Sequence, residues 1–529
     1  MIKKIWVSLA LMVINTMMYG QATFTKDIAP IVYKKCASCH RPGEIGPFSL
    51  TNYEEVRSYG ETIKFVTEIK YMPPWKADPG YKHYLEENYL DDAQIALIGE
   101  WVDGGMPYGN AAEEPAFPDY PEGSALGEPD LVLNFASKHL HKGDGEDEYR
   151  YFVLPTGLTN HKVVKAIELR PGNKKIVHHA LFFQDTTGKA RSFDVKTPEY
   201  GFSANTSGFD VNSVLLYEQY PGYVPGQKPI RYPESMGQRM NKNADLVIQM
   251  HYAPTPIDEY DSTTVNIFFA DEEEPVDRFV KDKVMLPSDL PGGFFSFLIP
   301  ANQKKTFTGK WKTTQDLSFL SVFPHMHLLG KRWKVWLQRP DGSLENLIKI
   351  DDWDFNWQGG YYFTQPVIAP KGSTVFAEAE YDNTVNNPLN PNSPPVSISW
   401  GEKTSDEMYY FPVLHTPYRV GDENLVFSQP TSTENDGALT IQDQPVQLFP
   451  NPARNEMVNV KFHLERGTQV DIAIRDMKGS LVRYVRKGEY FSQGENFVHI
   501  DANNLNTGNY LVVVEANNKA FGEKLQIIK

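Results

Sequence analysis

Cysteine is nearly absent from this sequence of 529 residues, which contains only Cys36 and Cys39. With two thiols the chain can form at most one disulfide, so packing must stabilise its fold. A zinc site built from four thiolates is excluded for the same reason. Positive charge is also scarce, because 52 Lys and Arg stand against 67 Asp and Glu. The resulting net charge of −15 disfavours a nucleic-acid partner.

Long apolar runs do not occur after the first twenty residues. At the start, Lys3 and Lys4 precede an apolar stretch at 5–18, and the small residues Gly20 and Ala22 follow. This pattern predicts a signal peptide at 1–20, with a membrane anchor as the alternative. The stretch is short for an anchor and polar residues interrupt it, so we expect export and no transmembrane segment.

Shifts in composition divide the chain into more domains than one hydrophobic core can serve. Residues 23–110 show helical spacing, with an N-cap expected at Asp91, whereas short alternating segments begin near 131. Polar stretches at 111–130 and 426–445 have the composition of linkers. We therefore expect a multidomain fold: a small α-helical domain at 23–110, β-sandwich domains at 131–272 and 273–425, and a small β-sandwich at 446–529.

Both cysteines belong to one motif, Cys36-Ala37-Ser38-Cys39-His40. The spacing puts two thiols one helical turn apart for thioether bonds and makes His40 the proximal iron ligand, as in c-type haem attachment. A redox-active thiol pair and a chance match are the alternatives. The histidine directly after the second cysteine favours haem c.

The segment at 23–110 resembles a bacterial cytochrome c domain beyond that motif. Phe24-Thr25-Lys26-Asp27-Ile28 precedes the motif as such domains begin, and residues 91–105 look like their terminal helix. The distal ligand is expected to be a methionine between these elements. Met72, in Tyr71-Met72-Pro73-Pro74-Trp75, fits best because its prolines would hold a non-helical loop. Met106 is the second choice, and a place in the core is the alternative for both.

Five of the thirteen histidines fall in three short apolar contexts. These contexts are Val177-His178-His179-Ala180, Gln249-Met250-His251-Tyr252 and Phe323-Pro324-His325-Met326-His327-Leu328. Two histidines spaced two apart on a strand project to one face, whereas an adjacent pair can bind one ion only where the strand bends or bulges. We expect metal binding, and imidazole alone suits copper, zinc, iron or nickel. The histidines left without a pattern are His83, His139, His141, His161, His415, His463 and His499.

These contexts resemble the copper type II, ascorbate-dependent monooxygenases, the peptidylglycine and dopamine hydroxylating enzymes, over roughly residues 125–425. The resemblance implies two β-sandwich domains and two copper ions. Its first copper would be held by His178, His179 and His251. Its second, catalytic copper would be held by His325, His327 and a methionine in an acidic-Glu-Met segment, which Thr404-Ser405-Asp406-Glu407-Met408 matches. Animal members carry disulfides, whereas this region contains no cysteine.

What the resemblance implies is hydroxylation of a small-molecule or peptide substrate with O2. The first copper would store and pass an electron, and the methionine-bearing copper would be the site of hydroxylation. Electrons would come from ascorbate or a redox protein, and we expect the attached haem to supply or relay them. A non-catalytic haem–copper electron carrier or copper-binding surface protein needs the same ligands and is the alternative. A di-haem peroxidase is disfavoured because the chain has a single C-x-x-C-H motif.

The last segment resembles the C-terminal sorting domain of the type IX secretion system. It opens with Leu448-Phe449-Pro450-Asn451-Pro452-Ala453, continues through Asp476-Met477-Lys478-Gly479 and Leu505-Asn506-Thr507-Gly508-Asn509-Tyr510, and ends at Lys529. An ordinary β-sandwich adhesion module is the alternative. The resemblance implies the type IX machinery as a partner and a location outside the cell or on the outer membrane, with the periplasm as the alternative.

Replacing the expected distal ligand tests the haem assignment. In Met72→His, an imidazole takes the place of a thioether, so the haem midpoint potential should fall and the visible spectrum of the reduced protein should change. Spectroelectrochemistry of the haem-loaded protein measures both quantities. Met106→His is the matched comparison, and an unchanged potential and spectrum in Met72→His would exclude Met72 as the ligand.

Overall fold

The structure is a computed structural model that divides into two compact units, residues 1–429 and 430–529. It describes residues 21–120, 123–204, 206–209, 219–233, 235–271, 274–427, 446–449, 451, 453, 457–464, 468–476, 481–491, 494–516 and 519–527. The expected signal peptide, most of the linker at 426–445, and the motif positions 450, 452, 477–479 and 529 lie outside the described residues. Among those described, no helix has the length and apolar content needed to cross a bilayer.

Most helices lie before residue 115. They are a π-helical turn at Phe24–Ile28, α1 (Ala29–Lys35), α2 (Tyr53–Ser58), α3 (Gly60–Glu68), α4 (Asp92–Asp103) and later α5 (Lys189–Asp194). As the sequence predicts, Asp91 caps α4, and it exchanges two hydrogen bonds with Gln94 in a capping box. Residues 53–68 form two helices rather than one because the backbone at Tyr59 leaves the helical conformation.

Two five-stranded sheets follow and share one hydrophobic core. Their strand orders are β1-β11-β4-β8-β12 and β6-β3-β9-β5-β7, and β2 pairs with β10 beside them. The strands are β1 (Leu131–Asn134), β2 (His139–His141), β3 (Glu148–Pro155), β4 (Lys162–Arg170), β5 (Val177–Asp185), β6 (Phe202–Ser203), β7 (Gln219–Tyr223), β8 (Met236–Met240), β9 (Asp245–Tyr252), β10 (Glu259–Asp261), β11 (Thr264–Phe269) and β12 (Arg278–Phe279).

A second pair of sheets forms a separate core. Its strand orders are β13-β22-β16-β19 and β15-β20-β17-β18, with β14 paired to β21. The strands are β13 (Lys281–Met285), β14 (Leu298–Ile299), β15 (Gln303–Lys312), β16 (Leu317–Val322), β17 (Gly330–Gln338), β18 (Leu344–Ile350), β19 (Tyr361–Ala369), β20 (Thr374–Asn383), β21 (Ile398–Ser399) and β22 (Phe411–Pro417). Since β12 still belongs to the first pair, the change between pairs falls near residue 280, later than the boundary expected at 272.

One stretch of the N-terminal region belongs to the second core rather than to the helices. Ala77 and Tyr84 are buried in that core and form isolated β-bridges with Ile350 and Phe363. The Tyr84 hydroxyl donates to the carbonyl of Leu347 at 2.7 Å. This strap, residues 77–85, therefore fixes the helical segment against the second pair of sheets.

The unit at 430–529 is built of two further sheets around their own core. Their strand orders are β23-β24-β27 and β26-β25-β28-β29. The strands are β23 (Gln447–Phe449), β24 (Met457–Leu464), β25 (Thr468–Asp476), β26 (Leu481–Phe491), β27 (Gly494–Asp501), β28 (Gly508–Ala516) and β29 (Lys519–Ile527). Short 3-10 turns complete the described chain at Ala111–Glu113, Pro287–Asp289, Phe294–Ser296, Asp422–Asn424 and Ala502–Asn504. The protein is thus mostly β-sheet with few helices.

Candidate metal centres

Strand alternation places two of the histidines on one face of a sheet. Phe182 of β5 and Ile248 of β9 point into the core, so His179 and His251, an odd number of positions away, face the opposite side. These histidines are direct cross-strand neighbours, and Tyr149 of β3 stands beside His251 in the same row. The ring of Tyr149 stacks on that of His251 at a centroid distance of 4.1 Å.

His178 joins this face through a β-bulge. The pairing register of β5 with β9 shifts between Val177 and His179, so His178 is the extra residue. The ring of His178 therefore lies on the same face as that of His251, with 4.7 Å between the ring centroids, and does not point into the core. The bulge that an adjacent histidine pair requires is therefore present.

The three imidazoles approach one another through their Nδ1 atoms. Nδ1 of His178 is 3.1 Å from Nδ1 of His179, which is 3.4 Å from Nδ1 of His251. Three nitrogens bound to one ion at about 2.0–2.1 Å in tetrahedral geometry would be roughly 3.3 Å apart. The cluster therefore has the spacing of a three-histidine metal site, and its ligand atoms all lie within 4.8 Å of one another.

A carboxylate fixes the orientation of His251. Nε2 of His251 lies 2.5 Å from Oδ1 of Asp147, and an ionised carboxylate can only accept, so Nε2 carries the proton and the lone pair of Nδ1 is free. Nε2 of His178, by contrast, is buried with no hydrogen-bond partner in the described chain. A buried nitrogen without a hydrogen-bond partner costs free energy in a folded protein. Hydrogen bonding within the protein therefore does not account for the position of His178.

His325 and His327 are hydrogen-bonded through Nδ1, whereas His251 is hydrogen-bonded through Nε2. Nδ1 of His325 contacts Oε1 of Gln358, whose amide nitrogen donates to the carbonyl of Phe355 at 2.6 Å. Nδ1 of His327 lies 3.1 Å from the carbonyl oxygen of Asp406. Because both Nδ1 atoms donate to oxygens, both Nε2 atoms keep free lone pairs. The two ring centroids are 5.1 Å apart.

A single buried carboxylate ties the His325–His327 segment to Met408. Glu407 accepts from the backbone N–H groups of His327 at 2.9 Å, Leu329 at 2.6 Å and Met408 at 3.1 Å. His325 forms an isolated antiparallel bridge with Tyr410, two residues after Met408. Burial raises the pKa of Glu407 to about 8, whereas the backbone donors favour its charged form.

The two histidine sets adjoin each other. The ring centroids of His179 and His325 are 6.0 Å apart. Phe355 packs on both sets, 5.3 Å from His178 and 5.8 Å from His327 between ring centroids. The structure thus brings together all five histidines predicted from the sequence, with the backbone of Met408 beside the second set.

Burial keeps these imidazoles neutral. Desolvation is the main cause that lowers the pKa of His178 to about 3 and of His327 to about 4. It lowers the pKa of His251 as well, and those of His179 and His325 fall well below the ordinary value. Neutral imidazole is the form that binds a metal ion, so no proton has to be displaced from the lone pairs near pH 7.

The haem motif begins where α1 ends. The amide of Cys36 donates to the carbonyl of Val32, and those of Cys39 and His40 donate to the carbonyl of Cys36, which makes one more turn. The cysteines form no disulfide. Burial raises the pKa of Cys36 to about 12 and also raises that of Cys39, which is the reverse of a reactive thiol pair.

His40 has the orientation a proximal ligand needs. Its Nδ1 lies 3.0 Å from the carbonyl of Phe48, so Nε2 is free for an iron ion. A Cβ at Gly46 would lie 2.9 Å from the His40 ring, so the loop can close over the imidazole only with glycine there. The residues present therefore fit a covalently attached haem.

The two candidate distal methionines occupy different places. Met72 follows α3, and its amide donates to the carbonyl of Val66 at 3.1 Å. Met106 packs against the helical core and contacts Gly60. Neither position excludes the other, and the assignment of Met72 stays a prediction.

Several supporting residues carry no sequence pattern of their own. The sequence could not predict the contacts of Asp147 with His251 and of Gln358 with His325, because the partners are far apart along the chain. His139 and His141 share Oε2 of Glu148, each at 3.0 Å, in a buried cluster beside the first site. Asp406 and Glu407 lie inside the segment at 404–408 that the sequence analysis singles out, where their place next to Met408 is the signal.

Comparison with known proteins identifies the last unit. Residues 447–529 match the family model described as "Secretion system C-terminal sorting domain". This match agrees with the sorting domain expected at 446–529 and indicates an exported protein, secreted or held at the cell surface, with the secretion machinery as a partner.

Other comparisons give no functional information. No curated protein matches this sequence. Among solved structures, a Faecalibacterium prausnitzii beta-glucuronidase is 14% identical with a TM-score of 0.13, covering 43% of this chain and 38% of that one. The infectious bursal disease virus VP2 subviral particle is 9% identical with a TM-score of 0.17, covering 58% and 76%. The chain thus spans well under half of the first of these structures, and likeness at such TM-scores carries no argument.

The neutral, buried imidazoles predict acid sensitivity of the metal-free protein. An unfolded histidine takes up a proton near pH 6.5, whereas folded His327 resists protonation down to about pH 4. The unfolded state therefore binds more protons, and stability should fall from pH 6.5 towards pH 4, by up to about 1.4 kcal/mol per pH unit for each such group. Urea unfolding of the chelator-treated protein across this range measures the slope. His327→Asn should make it shallower than in the parent, and equal slopes would contradict the prediction.

Replacing the carboxyl group of Glu407 should weaken metal binding at the second site. In Glu407→Gln an amide faces backbone N–H donors, so the unfolding free energy should fall by about 3 kcal/mol. The protein should bind one metal equivalent fewer, because the second site loses its ion. The first site, formed by His178, His179 and His251, should still bind one ion. Metal analysis after dialysis and urea unfolding provide the two readouts. Asp406→Asn is the matched control, and two retained equivalents in Glu407→Gln would refute the role of this carboxylate.

Proposed function

We propose that this chain is an exported, copper-dependent monooxygenase that hydroxylates an organic substrate with O2 and receives electrons through a covalently attached c-type haem. The observation that supports it most is the complementary orientation of five imidazoles. Three bring their Nδ1 atoms together, and the other two donate through Nδ1 to oxygens, in a segment that Glu407 joins to the backbone of Met408. That donor set agrees with the ligands that the resemblance to copper type II monooxygenases implies.

The proposed division of labour follows from the donors. His178, His179 and His251 would hold the first copper, and His325, His327 and Met408 the second, where the softer thioether favours Cu(I). Bound copper would supply the one-electron chemistry of the hydroxylation. Cys36 and Cys39 would carry haem c, whose iron His40 and Met72 would bind, and the haem would supply electrons.

The chain's own residues orient and shield these sites. Asp147 and Gln358 each hold the second nitrogen of an imidazole, which fixes which atom faces the metal. Phe355 covers both histidine sets, and an open cavity reaches His178. We place substrate entry at this cavity, where small-molecule or peptide substrates would meet the cluster.

A second candidate function uses the same ligands. The rings of His179, His251 and His327 are buried, which favours electron storage over access of a large substrate. A non-catalytic haem–copper electron carrier, or a copper-binding surface protein, is the function to weigh against the hydroxylase.

Oxygen consumption separates the two. The full chain, loaded with haem and copper, should consume O2 with ascorbate only when peptide or catecholamine substrates are present, and it should form hydroxylated product. Met408→Leu should abolish this uptake and keep the first copper's paramagnetic signal, while Met457→Leu, an exposed methionine in the sorting unit, should behave like the parent. Copper-loaded parent protein that transfers electrons but never consumes O2 with any such substrate would favour the electron carrier.

A further inference from the structure

A cavity of about 180 Å³ separates the haem motif from the histidine cluster. Ser38 and Cys39 of the haem motif line this cavity together with His178 and Gln358. Gln227, from the segment that follows β7, lines it as well. Residues of both candidate redox sites therefore line one cavity within one compact unit.

The segment at 224–227 touches the haem motif at Cys39. Gly226 has a φ of +79°, and a Cβ built on it would lie 3.2 Å from Sγ of Cys39. A side chain there would be strained by the left-handed backbone and would press on the sulfur. Glycine thus allows the backbone to lie directly against the atom that carries the thioether bond.

From Gly226 the path continues by bonds to the second histidine set. The side-chain oxygen of Gln227 accepts from the amide of Gly360 at 2.9 Å. Two residues before Gly360, Gln358 contacts Nδ1 of His325 through its own side-chain oxygen. One packing contact, two hydrogen bonds and two short covalent stretches therefore connect Cys39 with His325.

Ion pairs and backbone bonds hold both ends of this path in place. Lys228, next to Gln227, pairs with Glu86 at 2.6 Å. Lys174 pairs with Glu44 of the haem loop at 2.7 Å. The amide of Leu85, in the strap, donates to the carbonyl of Tyr362 at 2.8 Å. The connection is thus part of a continuous, fixed contact network.

We propose that Gln227 connects the haem attachment site electronically to His325, so that electrons from the haem enter at the second metal site. This inference rests on the proposed function. In the step, ferrous haem loses one electron to become ferric, and Cu(II) held by His325 and His327 gains it to become Cu(I). Tunnelling is more efficient along covalent and hydrogen bonds than across open space. The bonded path through Gln227 therefore competes favourably with the route to His178, which crosses the cavity.

Flash reduction measures this connection directly. The full chain with haem and Cu(II), kept free of oxygen, receives one electron per molecule from a photoexcited flavin, and the decay of the ferrous haem absorption is followed. Gln227→Leu keeps the side-chain volume and loses the acceptor for Gly360, so haem re-oxidation should slow several-fold. Gly226→Ala, which displaces the contact with Cys39, should slow it too. In Gln227→Leu, the haem midpoint potential of the copper-free protein and the copper content should not change.

Asn356→Leu is the matched control, because Asn356 lines the same cavity outside the bonded path. It should retain the parent's rate. An unchanged rate in Gln227→Leu, or parent protein with no haem-to-copper transfer, would overturn the connection. The hydroxylase proposal is decided separately, by substrate-dependent O2 uptake with ascorbate, which bypasses the haem.

Discussion

Packing five imidazoles into one buried cluster requires every ring to be neutral and most second nitrogens to be paired. A charged imidazolium beside another would combine a desolvation cost with like-charge repulsion, and burial accordingly lowers the pKa of His179 and His325 far below the ordinary value. The partners Asp147, Gln358 and the carbonyl of Asp406 then decide which nitrogen is left free. Neutral rings held in this way leave nitrogen lone pairs inside the cluster, an arrangement that would suit a soft cation.

That condition explains where the backbone departs from regular structure. A flat strand would send His178 into the core, and the β-bulge keeps it with His179 on the outer face. Beyond β16 the chain leaves the sheet, and Glu407 replaces the lost ladder bonds by accepting from three backbone amides. A carboxylate with no exposed surface is tolerated there because its oxygens are fully used.

Local patterns in the sequence predicted local features well. The N-cap at Asp91 and the bulge at an adjacent histidine pair depend on spacing along the chain, whereas the grouping of His251 with that pair was implied by the resemblance to the copper monooxygenases. Contacts between distant segments could not be predicted, because no periodicity encodes them: Asp147 meets His251, and Gln358 meets His325, only after the sheets pack. The strap at 77–85 was assigned to the helical domain for the same reason, since its partners lie more than two hundred residues away.

The near absence of cysteine can be understood from the same chemistry. A free thiolate near Cu(I) would compete with imidazole and thioether, and near O2 it would oxidise. The β region instead relies on packed cores and on buried pairs such as Arg278 with Asp422, whose side chains are 5% and 3% exposed. Both thiols of the chain are confined to the haem motif, where thioether bonds would remove their reactivity.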